Sequence, residues 1–249
     1  TGLAAGGAKA LLAGMCTRYT LQNLEALRDL LAELGLAAPA GQPRRFNLPL
    51  TARAPVVTRR KGVSAVESLA FGATLPPRAP TERPTLLGNA RSETLLAKAT
   101  FKDAAQHRRC LVPADGFFEW ERSGADRLPH YFFRRDRRAF FFAGLWRPEN
   151  EAAPASFVIV TTAPNPLFAP IHDRMPVILP SAREADAWLG EAPLSPARLA
   201  ALCAPLDADA MASHRVTPRM NNARFEDPVC IEPWTPPPAE PTLFDGVEN

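Results

Sequence analysis

The sequence has few cysteines and no long apolar run. Its four cysteines lie far apart, with no Cys-x-x-Cys pair, and this spacing excludes a zinc ribbon and a disulfide framework. We therefore expect no metal and no cofactor, and a reducing, cytoplasmic location. No stretch approaches the roughly 18–20 apolar residues that cross a bilayer, so we expect no membrane partner.

Proline, in contrast, is abundant. The 249 residues include 27 prolines, about 11% against an average near 5%. Because a proline blocks a helix interior, this content excludes long helical bundles. With 46% hydrophobic and 22% charged residues, the chain has the composition of a globular protein with a full core, and its length fits one domain.

Positive charge is concentrated in the first part of the chain. Residues 1–138 contain 22 Lys and Arg against 12 Asp and Glu, whereas residues 139–249 contain 7 against 14. A basic half indicates a polyanionic partner. All but four of the 29 cations are arginines, whose planar guanidinium groups suit phosphate. A GC-rich genome that encodes arginine by default is the alternative explanation.

Helices are predicted in the first part of the chain. Thr20, followed by leucines at helical spacing as far as Leu34, predicts a capped amphipathic helix. Residues 93–102 predict a second helix with Ser92 as its N-cap. The proline- and arginine-rich residues 39–55 are interpreted as an irregular segment.

The second part of the chain is richer in strands. Runs of aromatic and β-branched residues predict strands at 110–112, 116–120, 130–133, 139–146, 157–162 and 176–179. Residues 134–138 are predicted as a polar hairpin turn, and Ser181 and Ser195 as the N-caps of two short helices. The pattern favours an α+β fold, a single domain with a curved antiparallel sheet or open barrel flanked by short helices.

Cys16 is the first candidate for chemistry. Free cysteines are usually buried packing residues, but Met15 precedes Cys16, so removal of an initiator methionine would expose an N-terminal cysteine. Its amine and thiol would together condense with an aldehyde, first to an imine and then to a thiazolidine ring. The pKa of an α-amine is near 8, which leaves a nucleophilic fraction at neutral pH.

Four further polar residues are candidates for a catalytic or binding site. Glu119 has aromatic neighbours. If its side chain faces inward, it is desolvated and suited to acid–base catalysis near neutral pH. If its side chain faces outward, it is a solvated surface group. His172 precedes an apolar strand, where it is either a surface residue or a proton shuttle. Asn89 and Arg91 lie at the predicted start of a helix, whose backbone N–H groups would complete an anion site.

Six segments occur together in a characteristic order. They are Met15-Cys16-Thr17-Arg18-Tyr19, Arg45-Phe46-Asn47, Asn89-Ala90-Arg91-Ser92-Glu93-Thr94, the run from Arg109 to Trp120, Gly144-Leu145-Trp146 and His172-Asp173-Arg174-Met175-Pro176. In this order and spacing, residues 15–234 resemble the SOS response-associated peptidase (SRAP) family. The resemblance implies the SRAP fold and a sensor that shields abasic sites in single-stranded DNA by a DNA–protein crosslink.

The resemblance also implies catalytic roles. Cys16 matches the cysteine that is crosslinked to the sugar aldehyde, and Glu119 matches the acid and base that helps to open the deoxyribose ring. His172 matches the histidine that assists imine formation. Asn89 matches the amide that orients the opened sugar.

A DNA-binding surface is implied in the same way. Arg18 and Arg91 match arginines that hold the flanking phosphates, and Asn47 belongs to a motif that lines the same cleft. Phe71 stands in the segment where the family has an aromatic Trp-Gly wedge, and this segment departs from the family pattern. Thr17 also departs, because the family usually has Gly there. The implied partner is single-stranded DNA containing abasic sites, bound in the nucleoid by a monomer.

Crosslinking through Cys16 requires a free amino group. Residues 1–14 are interpreted as a tag, an extension or a misassigned start, or as a segment removed by cleavage before Cys16. Otherwise only reversible thiol chemistry and DNA binding remain. Two other functions stay open: a cysteine-type peptidase that cuts its own chain, and a non-catalytic single-strand binder. Residues 235–249 are interpreted as a proline-rich acidic tail.

Overall fold

The computed structural model describes residues 17–77, 81–124, 126–151 and 153–236. The strands are β1 (Arg18–Leu21), β2 (Arg45–Pro49), β3 (Arg53–Arg60), β4 (Val63–Phe71), β5 (Ala73–Leu75), β6 (Thr85–Leu87), β7 (Asn89–Arg91), β8 (Arg109–Ala114), β9 (Gly116–Ser123), β10 (Asp126–Arg134), β11 (Phe140–Arg147), β12 (Ser156–Thr162), β13 (Met175–Pro176), β14 (Ile178–Leu179) and β15 (Met211–Arg215). The helices are α1 (Leu24–Ala32), α2 (Ala99–His107), α3 (Ala182–Leu189) and α4 (Pro196–Leu202). The α+β class is confirmed.

One sheet has five strands in the order β15-β10-β9-β1-β2, all paired antiparallel. Within it, Tyr19 pairs with Phe117. Because side chains alternate between the two faces of a strand, one face carries Tyr19 and Phe117, and the other carries Phe118. We call these the inner face and the outer face.

The second sheet follows the order β13-β12-β4-β3-β8-β11-β14. Since β12 also pairs with β11, the path from β12 through β4, β3, β8 and β11 returns to β12 and forms a ring. Most pairings are antiparallel, and β12 runs parallel to β4 and β7. The predicted curved sheet with flanking short helices is therefore confirmed, as an incomplete barrel. β5 and β6 form a separate two-stranded sheet.

The inner face of the five-stranded sheet packs against the ring. Tyr19 meets Phe71 and Phe142 edge to face, with ring centroids 5.7 and 5.9 Å apart. Phe117 meets Phe142 at 5.7 Å. These side chains are buried, and each such aromatic pair adds about 0.5–1.5 kcal/mol beyond its area burial. The contacts fix one sheet on the other.

The helices cover the opposite side of the ring. Trp188 of α3 donates its indole N–H to the carbonyl oxygens of Cys110 at 3.0 Å and Gly144 at 3.2 Å. The buried guanidinium of Arg109 donates to four carbonyl oxygens, including that of Trp188. Backbone carbonyls at the ends of α2 and α3 thus have a partner inside the protein.

The first helix begins later than predicted. Thr20 lies in β1, and the N-cap of α1 is Asn23. Asp115 is buried and accepts the backbone N–H groups of Gln22 and Asn23, both at 2.7 Å, together with the Thr20 hydroxyl. The expectation of a helix from Thr20 is wrong because this distant carboxylate holds the chain in an extended conformation.

Three other local predictions are wrong. Ser92 begins a single 3-10 turn and α2 begins at Ala99, because β7 pairs with β12 and keeps the preceding backbone extended. Residues 39–55 contain β2 and the start of β3, whose partners lie elsewhere in the chain. Residues 134–138 are not a hairpin turn, since they join β10 of one sheet to β11 of the other.

Five of the six strand predictions in the second part of the chain are confirmed, with shifted ends. The strand predicted at 176–179 is instead two short strands, because β13 pairs with β12 and β14 pairs with β11. The N-caps of α3 and α4 are confirmed as well. The side chain of Ser181 accepts the backbone N–H of Glu184, and that of Ser195 accepts the N–H of Arg198.

Residues 1–16 and 237–249 lie outside the described residues. The predicted extension, Cys16 and most of the predicted tail belong to them, so the domain boundaries stay predictions. Within the described ranges, the helices are too short or too polar to cross a bilayer.

Asp115→Ala is expected to lower the free energy of unfolding by about 2–4 kcal/mol, because two N–H groups and a hydroxyl lose a buried acceptor. Urea denaturation measures the loss. The control is Asp136→Ala, whose half-exposed carboxylate pairs with Arg134 and should contribute less than about 1 kcal/mol. An Asp115 variant as stable as the unmodified protein would contradict this account of β1.

Candidate functional site

Glu119 lies on the inner face of β9. Its neighbours Phe118 and Trp120 pack in an aromatic cluster on the outer face, so strand alternation turns the carboxyl group to the side of Phe117. The side chain is buried, with 5% of the residue exposed. The backbone N–H of Trp120 lies 3.3 Å from Oε1. Of the two orientations that the sequence leaves open, the structure shows the inward one.

His130 lies directly opposite Glu119 on β10. Its Nε2 is 3.1 Å from Oε2 of Glu121, and Arg215 donates to the same oxygen at 3.1 Å. Burial lowers the pKa of His130, against the opposing effect of Glu121, so the ring is uncharged at neutral pH. The sequence reasoning missed this residue, because a single histidine in a strand gives no signal without its partners.

Asn89 reaches the inter-sheet region from β7. It pairs with Ile159 of β12, whose side chain belongs to the core between the sheets. Both polar atoms of the Asn89 side chain are buried, and no hydrogen-bond partner for them lies among the described residues. A buried amide without partners costs free energy. Such a group is suited to bind a polar ligand atom.

Thr17 connects the two sides of this region. A side-chain carbon added to Gly88 would lie 3.7 Å from Cγ2 of Thr17, so Thr17 lies against the residue that precedes Asn89. The register of β1 against β9, continued by two residues, places Thr17 beside Glu119. Cys16 is joined to Thr17 in the sequence and is not among the described residues.

His172 lies in the turn before β13. Its Nδ1 is 2.7 Å from a carboxylate oxygen of Asp173, and the backbone N–H of Arg174 is 3.2 Å from the same nitrogen. A protonated Nδ1 donates to Asp173, whereas an unprotonated Nδ1 accepts from Arg174. The turn is fixed by Phe168, whose carbonyl accepts the N–H of His172 at 3.1 Å and whose ring lies 4.6 Å from that of Phe132 on the inner face.

Arg91 is exposed at the end of β7. Its guanidinium makes no hydrogen bond or ion pair within the described part of the chain. Arg174, by contrast, donates to both carboxylate oxygens of Glu93 at 3.1 and 2.8 Å. Burial alone would raise the pKa of Glu93, but the bonds from Arg174 hold it below its ordinary value. The predicted helix does not begin here, so an anion at this place would depend on Arg91 itself.

Arg18 and Asn47 lie on the outer face of the five-stranded sheet. Arg18 donates to Oδ1 of Asn47 at 3.1 Å and to the carbonyl oxygen of Met220 at 3.0 Å, and its guanidinium lies 5.6 Å from the ring centre of Trp120. Asn47 is fully buried and donates to the carbonyl oxygen of Phe225 at 2.8 Å. Both residues hold the C-terminal segment against the sheet.

Phe71 is fully buried and stacks on Phe157, with ring centroids 5.1 Å apart and an interplanar angle of 8°. Its ring offers no exposed face on which a DNA base could stack. Elsewhere in the described ranges, no three His, Cys, Asp or Glu side chains are grouped so as to hold a metal ion.

The predicted site residues thus fall into groups. Glu119, Asn89 and the turn that carries His172 border the region between the sheets, and Arg91 lies at the rim. Arg18 and Asn47 lie on the outer face, and Phe71 lies in the core.

Arg18→Ala is expected to lower the free energy of unfolding by roughly 1–3 kcal/mol, because Asn47 and a backbone carbonyl lose their donor. Arg91→Ala, which removes an exposed side chain of the same kind, should change it by less than about 0.5 kcal/mol. Urea denaturation of both variants tests the contrast. Equal losses would show that Arg18 has no structural role.

The protein-family model "SOS response associated peptidase (SRAP)" matches residues 15–223. Among curated proteins, "Abasic site processing protein YoqW" of Bacillus subtilis is 38% identical over 148 residues, 58% of this chain and 66% of that protein. "Abasic site processing protein YoaM" of the same organism is 31% identical over 221 residues, 84% of this chain and 94% of that protein. "Abasic site processing protein HMCES" of Xenopus tropicalis is 31% identical, and the alignment spans 49% of its length.

Solved structures have the same architecture. A protein from Bacteroides thetaiotaomicron superposes with a TM-score of 0.68 at 23% identity, covering 88% of this chain and all of that one. A protein from Bordetella bronchiseptica superposes with a TM-score of 0.64 at 26% identity, covering 81% of this chain and all of that one. The alignment with YoqW spans just under two thirds of that relative, but the family match covers most of this chain. The chain therefore belongs to the SOS response associated peptidase (SRAP) family.

Proposed function

We propose that this protein processes abasic sites in DNA, and that it captures them in single strands by a covalent bond to Cys16. The relatives in its family are named abasic site processing proteins. The observation that carries the proposal is that Glu119 is buried and faces inward. The register of β1 against β9, continued by two residues, brings Thr17 next to Glu119. Thr17 directly follows Cys16 in the sequence.

The acid step explains the need for a buried carboxyl group. An abasic deoxyribose exists mainly as a closed hemiacetal. The aldehyde forms when the ring oxygen takes up a proton, its bond to the anomeric carbon breaks, and the hydroxyl group on that carbon loses its proton to a base or to water. A carboxylic acid removed from water keeps its proton more readily than an exposed one and can donate it to that oxygen. Glu119 has this environment, whereas Glu121 on the same face is paired with Arg215 and partly exposed.

Capture requires an amine and a thiol on one residue. The α-amine of an N-terminal Cys16 attacks the aldehyde carbon, and loss of water gives an imine. The Cys16 sulfur then adds to the imine carbon, its proton passes to the nitrogen, and a five-membered thiazolidine closes. An amide nitrogen cannot form this ring, so the reaction requires a chain that begins at Cys16.

Asn89 and His172 supply polar groups near the same place. The amide of Asn89, for which the described residues offer no hydrogen-bond partner, can donate to and accept from the hydroxyl groups of the opened sugar. His172, whose Nδ1 has Asp173 or the Arg174 N–H as alternative partners, is suited to move a proton between the amine and water during imine formation.

The DNA backbone requires positive charge near this region. The excess of arginine in residues 1–138 provides the sequence-independent attraction that single strands need. Arg91 is free to hold a phosphate bidentately. Arg18 lies on the outer face and donates to Asn47 and Met220, so it would reach only a DNA strand that passes over that face.

The test uses protein that begins at Cys16 and a single-stranded oligonucleotide with one abasic site. A heat-stable adduct on a denaturing gel is expected. Cys16→Ala should abolish it, and Glu119→Gln should slow it on the order of 100-fold because the proton donor is lost. The controls are Cys203→Ala and Glu33→Gln. Cys203 lies at the end of α4 and Glu33 at the end of α1, so both variants should react like the unmodified protein.

Two outcomes would contradict the proposal. Equal affinity for intact and abasic strands, with no adduct, would show a single-strand binder. An adduct that survives Cys16→Ala would move the nucleophile elsewhere. Mass spectrometry of the longer chain, which carries residues 1–15, tests the peptidase alternative: spontaneous cleavage before Cys16 supports it, and a chain that stays intact opposes it.

A further inference from the structure

Three polar side chains form a row across the inner face of the five-stranded sheet. His130 of β10 lies opposite Glu119 of β9 on one side and opposite Arg215 of β15 on the other. Side chains that lie directly opposite on neighbouring antiparallel strands have Cβ atoms about 4.5–5.5 Å apart. The imidazole ring of His130 is therefore the immediate neighbour of the Glu119 side chain.

The ring of His130 is held in one orientation. Glu121 accepts from Nε2 of His130 and from Arg215, each at 3.1 Å. When the ring is uncharged, this bond places its proton on Nε2 and leaves Nδ1 as an acceptor. Phe132 bounds the ring on its own strand, with ring centres 6.4 Å apart. The His130 side chain is 13% exposed, so neighbouring groups rather than water determine its state.

Charged side chains on the neighbouring strands surround His130. Among the described residues, the groups whose charges act on His130 are Glu121 on β9, and Arg215 and His214 on β15. Glu121 and Arg215 offset each other. A positive charge on His130 would be added next to Glu119 and would favour the ionised form of that carboxyl group.

We propose that His130 is a positioning residue for Glu119. The hydrogen bond to Glu121 holds the imidazole ring of His130, and the ring in turn fixes the side chain of Glu119. Because the ring is uncharged, it adds no positive charge next to Glu119, which keeps the proton that it donates to the sugar. This inference rests on the proposed function, and it adds a residue to the acid step that the motifs do not contain.

The experiment compares two replacements of one residue, in protein that begins at Cys16. His130→Gln is uncharged, and His130→Arg carries a permanent charge. The rate of adduct formation is measured between pH 5 and 9. We expect the alkaline limb of the pH–rate profile of His130→Gln to stay within about 0.3 pH unit of that of the unmodified protein. The limb of the Arg variant should move to lower pH by about one unit or more, because the added charge favours the carboxylate.

His107→Arg is the matched control, since it makes the same exchange at the end of α2, and its profile should not move. A merely structural role of His130 would lower the rate at every pH without moving the limb. Coincident limbs for the unmodified protein and the folded Arg variant would overturn the inference. So would equal displacement in the Gln and Arg variants.

A second measurement separates this inference from the proposed function. If the unmodified protein forms no adduct, the proposed function fails. The titration of the Glu119 side-chain carboxyl carbon, followed by NMR, then decides the inference alone. A lower midpoint in His130→Arg than in His130→Gln supports it, and equal midpoints overturn it. Circular dichroism confirms that both variants are folded, and His130→Lys replaces His130→Arg if the latter does not fold.

Discussion

The pairing of β1 with β9 is the contact on which the site depends. It sets Tyr19 opposite Phe117 and thereby directs the side chain of Thr17 toward the inner face, which carries Glu119. A slip of one residue would turn every side chain of β1 to the other face. Tyr19 would leave the inter-sheet core, and Thr17 would lose its place against Gly88. Asp115 opposes such a slip, because it holds the backbone immediately after β1 at two successive N–H groups.

The polar residues on the two faces of the five-stranded sheet have different roles. On the outer face, Arg18 and Asn47 bond backbone carbonyls of the C-terminal segment and so stabilise the fold. On the inner face, Glu119 lies beside a histidine that burial keeps uncharged. Asn89 lies in the facing sheet with an amide that the described residues leave without partners. A fold optimised for stability alone would have paired or replaced that amide.

Sequence patterns predicted the strands from β8 to β12, missed those from β1 to β7, and predicted the site in part. Aromatic and β-branched runs mark β8, β11 and β12 because these strands are buried on both faces, and in β9 and β10 they mark the buried portions. The start of α1 was not predictable locally, since Asp115 lies more than 90 residues after the N–H groups it accepts. The orientation of Glu119 was not predictable from the sequence either. Alternation along a strand allows the side chain to point to either face of the sheet, and only the packing of the second sheet determines which face is buried. His130 carries no motif, and its neighbours become visible only in the strand register.

β12 has an unusual number of partners. Along its seven residues it pairs with β4, β7, β11 and β13, and β4 and β13 are more than 100 residues apart in the sequence. Such distant pairings form slowly, because the intervening chain must first be brought together. Both β7, with Asn89, and β13, which follows His172, are held in place by this one strand. During synthesis, β7 with Asn89 and β13 after His172 therefore take their places in the sheet only once β12 has left the ribosome.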